Sequence, residues 1–209
     1  MKKLLRIESG KQLSFLLGLL GLVMGWAIVP TRAQAPGWQG AAAIGNSTLG
    51  TSYNSINAAV TDAAGNVYVA GSFHNKAVFN NTATFTSGAD DSGFLAKWSP
   101  ITKQFVWFVQ FGEAVGAVVP LALFVKGADV YVAGSFTTSI LEWGNTGVYV
   151  RNAGGANHTR DGFVAKLTDL GNATSYGWIQ RVGGVGNDVV EGLAVSGTNV
   201  YLAGTFGSA

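Results

Sequence analysis

Val67-Tyr68-Val69-Ala70-Gly71-Ser72-Phe73 returns as Val130-Tyr131-Val132-Ala133-Gly134-Ser135-Phe136, and again as Val200-Tyr201-Leu202-Ala203-Gly204-Thr205-Phe206. The two steps are nearly equal. Other landmarks keep that stride: Gly93-Phe94-Leu95-Ala96-Lys97 recurs as Gly162-Phe163-Val164-Ala165-Lys166, and Trp38, Trp107 and Trp178 follow one another at the same interval. A fixed period of about 70 residues marks a repeat architecture, in which each unit is too small to bury its own apolar side and leans on its neighbours.

Each unit reads as four main strands separated by turn residues. The first strand is apolar: Ala58-Ala59-Val60, Leu123-Phe124-Val125 and Leu193-Ala194-Val195. A tight connection follows, written Asp62 to Asn66, Gly127-Ala128-Asp129 and Gly197-Thr198-Asn199. Glycine supplies a positive φ there, and Asp or Asn bonds its own backbone. The second strand is the Val-Tyr-Val-Ala-Gly segment. The third runs Phe94 to Trp98 and Phe163 to Leu167, and the fourth Phe105 to Phe111 and Tyr176 to Val182. A longer connection separates the second from the third, His74 to Ser92 in one copy and Thr137 to Asp161 in the other. These connections match at Phe79-Asn80-Asn81-Thr82 and Trp143-Gly144-Asn145-Thr146, which predicts a small extra hairpin in each unit.

The second strand is nearly continuous in apolar and small residues, so both of its faces should be covered. In an antiparallel all-β chain that calls for sheets stacked face to face, as in radially packed propeller blades, with Ala70 and Gly71 letting neighbouring sheets approach. The order Asp-x-x-Gly-Asn-Val-Tyr-Val-x-Gly, carried by Asp62, Gly65, Asn66, Val67, Tyr68, Val69 and Gly71, then Gly-Phe-x-Ala-Lys, then an aromatic strand ending in Gly, resembles the bacterial SBBP β-propeller repeat of secreted and cell-surface proteins. The resemblance spans roughly residues 38 to 209. The second copy departs from it, with Lys126-Gly127-Ala128-Asp129 in place of the longer turn; Glu113 to Pro120 also lacks the glycine-acidic run kept at Gly183 to Asp188. The resemblance implies a scaffold and brings no catalytic residue with it.

The expected fold is therefore all-β: repeated four-stranded antiparallel blades of a β-propeller, about two and a half of them, in units of roughly 38–112, 113–183 and a truncated 184–209. Closed propellers take four to eight blades, roughly 280 residues or more at this stride. The span from 36 to 209 falls well short of that. Three arrangements compete: a fragment of a longer surface protein, a ring closed by self-association, or an open stack or sandwich.

Ahead of the repeats, Lys2, Lys3 and Arg6 precede an apolar run from Leu13 to Val29 and then Thr31-Arg32-Ala33-Gln34-Ala35. This is the layout of a secretory signal peptide over residues 1–35, a helical leader cleaved after Ala33 or Ala35; the competing reading is a membrane anchor. The expected location is secreted or cell-surface, with no stable membrane span once the leader is removed. Within the leader Lys2, Lys3, Arg6, Lys11 and Arg32 stand against Glu8, which gives +4, so the rest of the chain holds −2 of the formal +2 total. The basic character belongs to the leader, and a nucleic-acid partner loses its electrostatic footing. The absence of cysteine excludes disulfide scaffolds, thiolate zinc sites and cysteine nucleophiles.

Candidate chemistry is thin. His74 and His158 are the only histidines, occupy non-equivalent connecting segments, and read as solvated loop residues in preference to metal ligands or members of a triad. Asp90, Asp91 and Asp161 precede the Gly-Phe strands and Asp188 follows a glycine turn; they read as backbone caps, with calcium the competing reading. Gly183-Gly184-Val185-Gly186-Asn187 lacks the Lys-Ser/Thr of a phosphate loop. The equivalence of Trp38, Trp107 and Trp178 favours core packing over sugar stacking, and Trp98/Leu167 and Trp143/Phe79 match for the same reason. Glu113, Glu142 and Glu191 are non-equivalent and define no carboxylate pair. The unmatched polar stretch Asn157-His158-Thr159-Arg160 is the best contact surface.

No catalytic, cofactor-binding or metal-binding residue is assigned on these grounds. The expected role is an exported repeat module, structural, adhesive or ligand-binding, with a surface glycan or protein, further blades or a second copy as partners. The alternative is a propeller-framed enzyme of glycan or polymer breakdown. If the second strand is central, Tyr131→Asp should unfold the domain.

Overall fold

The structure is a computed structural model that describes residues 42–45, 52–81, 83–112, 115–143, 146–154 and 159–207. The leader and Trp38 lie outside the described residues. Fourteen antiparallel strands and no helix occur among those described. The first sheet is a meander of β1 (Tyr53–Thr61), β2 (Val67–His74), β5 (Ser92–Ser99) and β6 (Gln104–Phe111), with a hairpin of β3 (Lys76–Phe79) and β4 (Ala83–Thr86) inserted between its second and third strands. The second sheet repeats the plan with β7 (Val118–Lys126), β8 (Asp129–Phe136), β11 (Asp161–Asp169) and β12 (Thr174–Val182), around an inserted hairpin of β9 (Ile140–Glu142) and β10 (Tyr149–Arg151). A third pair, β13 (Asp188–Ser196) and β14 (Asn199–Phe206), repeats only the first two strands. No sheet closes on itself among the described residues.

The four-strand reading of the first two units and both inserted hairpins stand as expected. The turns also follow their residues: Gly65, Gly127 and Gly197 take φ of 81°, 60° and 60°, the left-handed region that glycine enters without steric cost. In the first turn Asp62 Oδ1 accepts the amides of Ala64 and Asn66, each at 2.9 Å.

The repeat extends to a feature that composition does not display. The first strand of every unit carries a bulge, between Ile56 and Ala58, Pro120 and Ala122, and Val190 and Gly192. Asn57, Leu121 and Glu191 are the unopposed residues. A bulge bends its strand and pushes backbone toward the partner. Here it brings the carbonyls of Ser55, Val119 and Val189 within 1.8, 2.1 and 1.9 Å of where a Cβ would stand on Gly71, Gly134 and Gly204. The repeated glycine is thus required inside its own sheet, by the bulged strand beside it. The expectation that Gly71 serves the approach of a neighbouring sheet is corrected on that ground.

Alternation decides which neighbour each side chain meets. Val69, Phe73, Phe94, Ala96 and Phe105 line one face of the first sheet, where the β3–β4 hairpin folds over them. Phe79 from that hairpin is wholly buried, with ring centroids 5.6, 5.3 and 5.0 Å from Phe94, Phe105 and Phe108. Asn80 clamps the turn by accepting from the Phe105 amide at 2.9 Å and donating to its carbonyl at 2.7 Å. Tyr68, Ala70, Leu95, Trp107 and Val109 line the opposite face. They share one core with Val130, Val132, Phe136, Phe163, Ala165 and Leu167 of the second sheet. The other face of the second sheet, with Ala133 and Val164, meets Val190, Leu193 and Leu202 of the third pair. Phe111 meets Trp143 with ring centroids 4.8 Å apart.

The repeated tyrosine differs in exposure along the stack. Tyr68 and Tyr131 are 1% and 8% exposed, whereas Tyr201, over which no sheet lies among the described residues, is 55% exposed. Tyr131→Asp is expected to cost more than about 3 kcal/mol, because burying an ionised carboxylate outweighs any single contact it could form. Tyr201→Asp should stay within about 0.5 kcal/mol, as for an ordinary surface change. Thermal melts followed by circular dichroism check the pair; equal melting temperatures would show that the second strand is not covered.

Candidate functional site

The ionisable groups of a low-charge chain are few, so where each goes is informative. Lys97 sits on a covered strand, and a buried ammonium needs a partner. It finds Asp169, at the end of β11 on the neighbouring sheet, with Nζ to Oδ2 2.6 Å; both side chains are under a tenth exposed. Tyr68 Oη donates to the same oxygen at 2.6 Å and Trp107 Nε1 donates to Oδ1 at 2.9 Å. The Gly171 amide closes the set at 2.8 Å. Three side chains from one sheet therefore converge on one carboxylate of the next. Burial pushes the Asp169 carboxyl upward, but the bonds from Lys97, Tyr68, Trp107 and Gly171 more than offset it and hold the group below the usual range. Burial and the two neighbouring carboxylates, Asp169 before Asp62, push the Tyr68 hydroxyl well up.

Asp62 behaves similarly. Burial raises its pKa, and the Asn66 side chain and amide, the Tyr68 hydroxyl and the Ala64 amide bring it below the ordinary value. Asp169 thus ties the two sheets together, and Asp62 ties the β1–β2 turn to Tyr68.

A second polar group lies at the end of the stack that carries the inserted hairpins. His74 Nδ1 is 3.1 Å from Asp91 Oδ1, Tyr53 Oη donates to Asp91 Oδ2 at 2.5 Å, and the Tyr53 and His74 rings stack 5.7 Å apart. The bond to Asp91 lifts the Tyr53 hydroxyl to about 12, with burial adding to it. The expectation that His74 is a solvated loop residue is corrected. It is the last residue of β2, because the chain leaves the strand only at Asn75, whose φ is 65°.

Of the four carboxylates expected to cap backbone, Asp90, Asp161 and Asp188 do so, whereas the Asp91 carboxylate holds the Tyr53 and His74 side chains instead. Asp90 accepts from Gly116 at 2.8 Å, Asp161 from Ala153 at 2.5 Å, and Asp188 from Gly184 and Gly207, each at 2.9 Å. Asp161 differs from Asp169 in sign. Burial raises its pKa, the Ala153 amide and Arg181 lower it, and the charge of Asp188 adds to the rise. Glu142 accepts the Gly147 amide at 3.0 Å, Glu191 is exposed in its bulge, and Glu113 and His158 lie outside the described residues. Among the described residues no three His, Asp or Glu side chains converge as metal ligands, and no helix is long and apolar enough to cross a membrane.

At the same end, between the second sheet and the third pair, an open cleft of about 490 Å³ is lined by Thr137, Arg160, Asn187, Val189 and Thr205. Its walls are pinned by backbone: Asp188 N donates to the Arg160 carbonyl at 2.6 Å, and the Arg160 amide donates to Asn187 Oδ1 at 2.9 Å. Arg160 brings a guanidinium beside hydroxyl, amide and methyl groups, a surface suited to a polar, anionic or carbohydrate ligand. Of the polar stretch singled out in the sequence, Thr159 and Arg160 lie in the described region, and Arg160 lines this cleft.

Asp169 escapes a reading of the sequence because the repeat hides it: laying Gly162–Lys166 on Gly93–Lys97 puts Pro100 in its place. The available signal is Lys97, a charged residue on a strand expected to be covered on both faces. No protein-family model matches this chain, and no match to it is found among curated proteins.

Proposed function

We propose that the chain is an exported β-propeller-type repeat module whose sheets are blades and whose role is structural, adhesive or ligand-binding, with contact made at the polar end that holds the Arg160 cleft. The observation that carries this reading is the contrast between the two kinds of polar group. The Asp62 carboxylate is taken up within its own turn, Asp169 by inter-sheet bonds and Asp188 by backbone amides, while the Arg160 cleft is open and lined by recognition groups. The repeat stride, the bulges in equivalent places and the low charge support the blade assignment. Residues 1–35, with their basic start, apolar run and Ala-Gln-Ala site, support export.

The test is a panel of soluble and surface polysaccharides and cell-surface proteins presented to the purified chain. The expected result is retention of at least one member, weakened about tenfold or more by Arg160→Ala, since charged hot-spot truncations commonly cost about 2 kcal/mol or more. Turnover of a polysaccharide that disappears on changing a single Asp or Glu would replace this reading with that of an enzyme.

A further inference from the structure

Strand β14 carries the same Val-Tyr-aliphatic-Ala-Gly segment as β2 and β8, yet among the described residues it is paired on one edge only, by β13. Its residues are largely exposed, Tyr201 and Phe206 by about half. In the other two units that edge is taken by a strand beginning Gly-Phe and running through Ala-Lys. Gly71 stands opposite Phe94 and Val67 opposite Trp98. Gly134 stands opposite Phe163 and Val130 opposite Leu167.

A second feature accompanies the open edge. Tyr68, Lys97 and Trp107 of the first sheet hold Asp169, delivered by the strand that occupies the equivalent edge of the next sheet. Tyr131, Lys166 and Trp178 are the same three positions one unit on. There Lys166 turns to Asp129 of its own sheet at 2.8 Å and is a quarter exposed, and among the described residues no carboxylate meets Trp178 Nε1. Tyr131 and Trp178 keep the edge-on ring contact, 6.3 Å between centroids, that Tyr68 and Trp107 make at 5.9 Å. Tyr131 and Trp178 thus repeat the arrangement of Tyr68 and Trp107, and Lys166 stands beside them with Asp129 as its present partner.

We propose that the free edge of β14 is a docking site for one extended strand of the pattern Gly-Phe-aliphatic-Ala-Lys-x-x-Asp, supplied by a further repeat of the same kind. Backbone bonds to β14 bind it, and its terminal carboxylate enters the Tyr131–Lys166–Trp178 socket. Strand addition of this kind takes affinity from main-chain bonds and specificity from alternate side chains. The register follows from the two filled edges: Gly204 opposite the strand's Phe and Val200 opposite the residue after its Lys. This inference stands on the stacking geometry and is independent of export and of the Arg160 cleft.

The probe is a fluorescent peptide with the sequence of Arg160–Asn172, titrated into the 209-residue chain and followed by anisotropy. Saturable binding is expected, with slowed amide exchange along Asn199–Phe206. The peptide carrying Asp169→Asn should bind about tenfold more weakly, since the lost partner is part of a charge-assisted set. Lys166→Met in the chain should cause a similar loss, and the two changes together should not add.

Peptides N-methylated at alternate residues leave the chain native and test the ladder itself. One alternate set should abolish binding and the other leave it intact, because only half of an edge strand's amides face its partner. Equal binding by both sets, by a scrambled peptide or by the Asp169→Asn peptide would overturn the proposal. So would a chain that dimerises through β14 and takes up no peptide.

Discussion

Asp169→Ala is expected to destabilise the stack by about 3 to 5 kcal/mol, because it strands a buried ammonium along with the Tyr68 and Trp107 donors. For a domain of this size that is a fall in melting temperature of roughly 6 to 20 °C. Lys97→Met on top of it should recover part of the loss, since removing both charges relieves the penalty that removing one creates. A change under about 1 kcal/mol for Asp169→Ala would mean that the sheets are held together by their apolar faces alone.

The same carboxylate sets an acid limit. Asp169 and Asp62 have folded-state pKa values below their unfolded ones, so their contribution is fully present above the ordinary aspartate value of about 3.9 and fades as the pH falls through the lower folded values. Asp161 has its pKa raised on folding and acts in the opposite direction, favouring the folded state as it takes up its proton. Asp169→Asn should therefore flatten the acid side of a stability-against-pH curve measured by urea unfolding. An unchanged slope would exclude Asp169 from the acid response.

Gly134→Ala is expected to be comparably severe, at about 3 kcal/mol or more, because the added methyl would stand 2.1 Å from the Val119 carbonyl and 2.8 Å from Pro120 Cα. Both obstacles are backbone, so no side chain can swing aside. Gly71→Ala meets the Ser55 carbonyl in the same way and should behave alike. Gly127→Ala is the control. That glycine has φ of 60° and open space around it, so alanine there should cost only about 1 to 2 kcal/mol of left-handed strain. Chemical denaturation of the three variants checks the ranking. If Gly127→Ala proved the worst, turn conformation and not the bulge would govern these positions.

Much of this is readable in the chain. The repeat stride locates the four-strand units, the glycines of the turns and the inserted hairpins, because apolar alternation and positive-φ residues are local signals that need no knowledge of neighbours. Phe79 and Trp143 are legible as one core position for the same reason. Three things are not. The bulges at Asn57, Leu121 and Glu191 arise from cross-strand pairing, and no residue type announces them. His74 reads as a loop residue until the length of β2 is known. Asp169 has Pro100 as its counterpart, so comparing units conceals it.

The residues alone therefore settled the class of fold, since a recurring run of apolar strand segments punctuated by turn residues can be buried only by strands laid against strands. The partner chosen by each ionisable group was decided in three dimensions. Lys97 and Asp169 are 72 residues apart and meet because adjacent sheets stack with the end of β11 over the first sheet. Long-range electrostatic pairing depends on that packing, which no local pattern encodes.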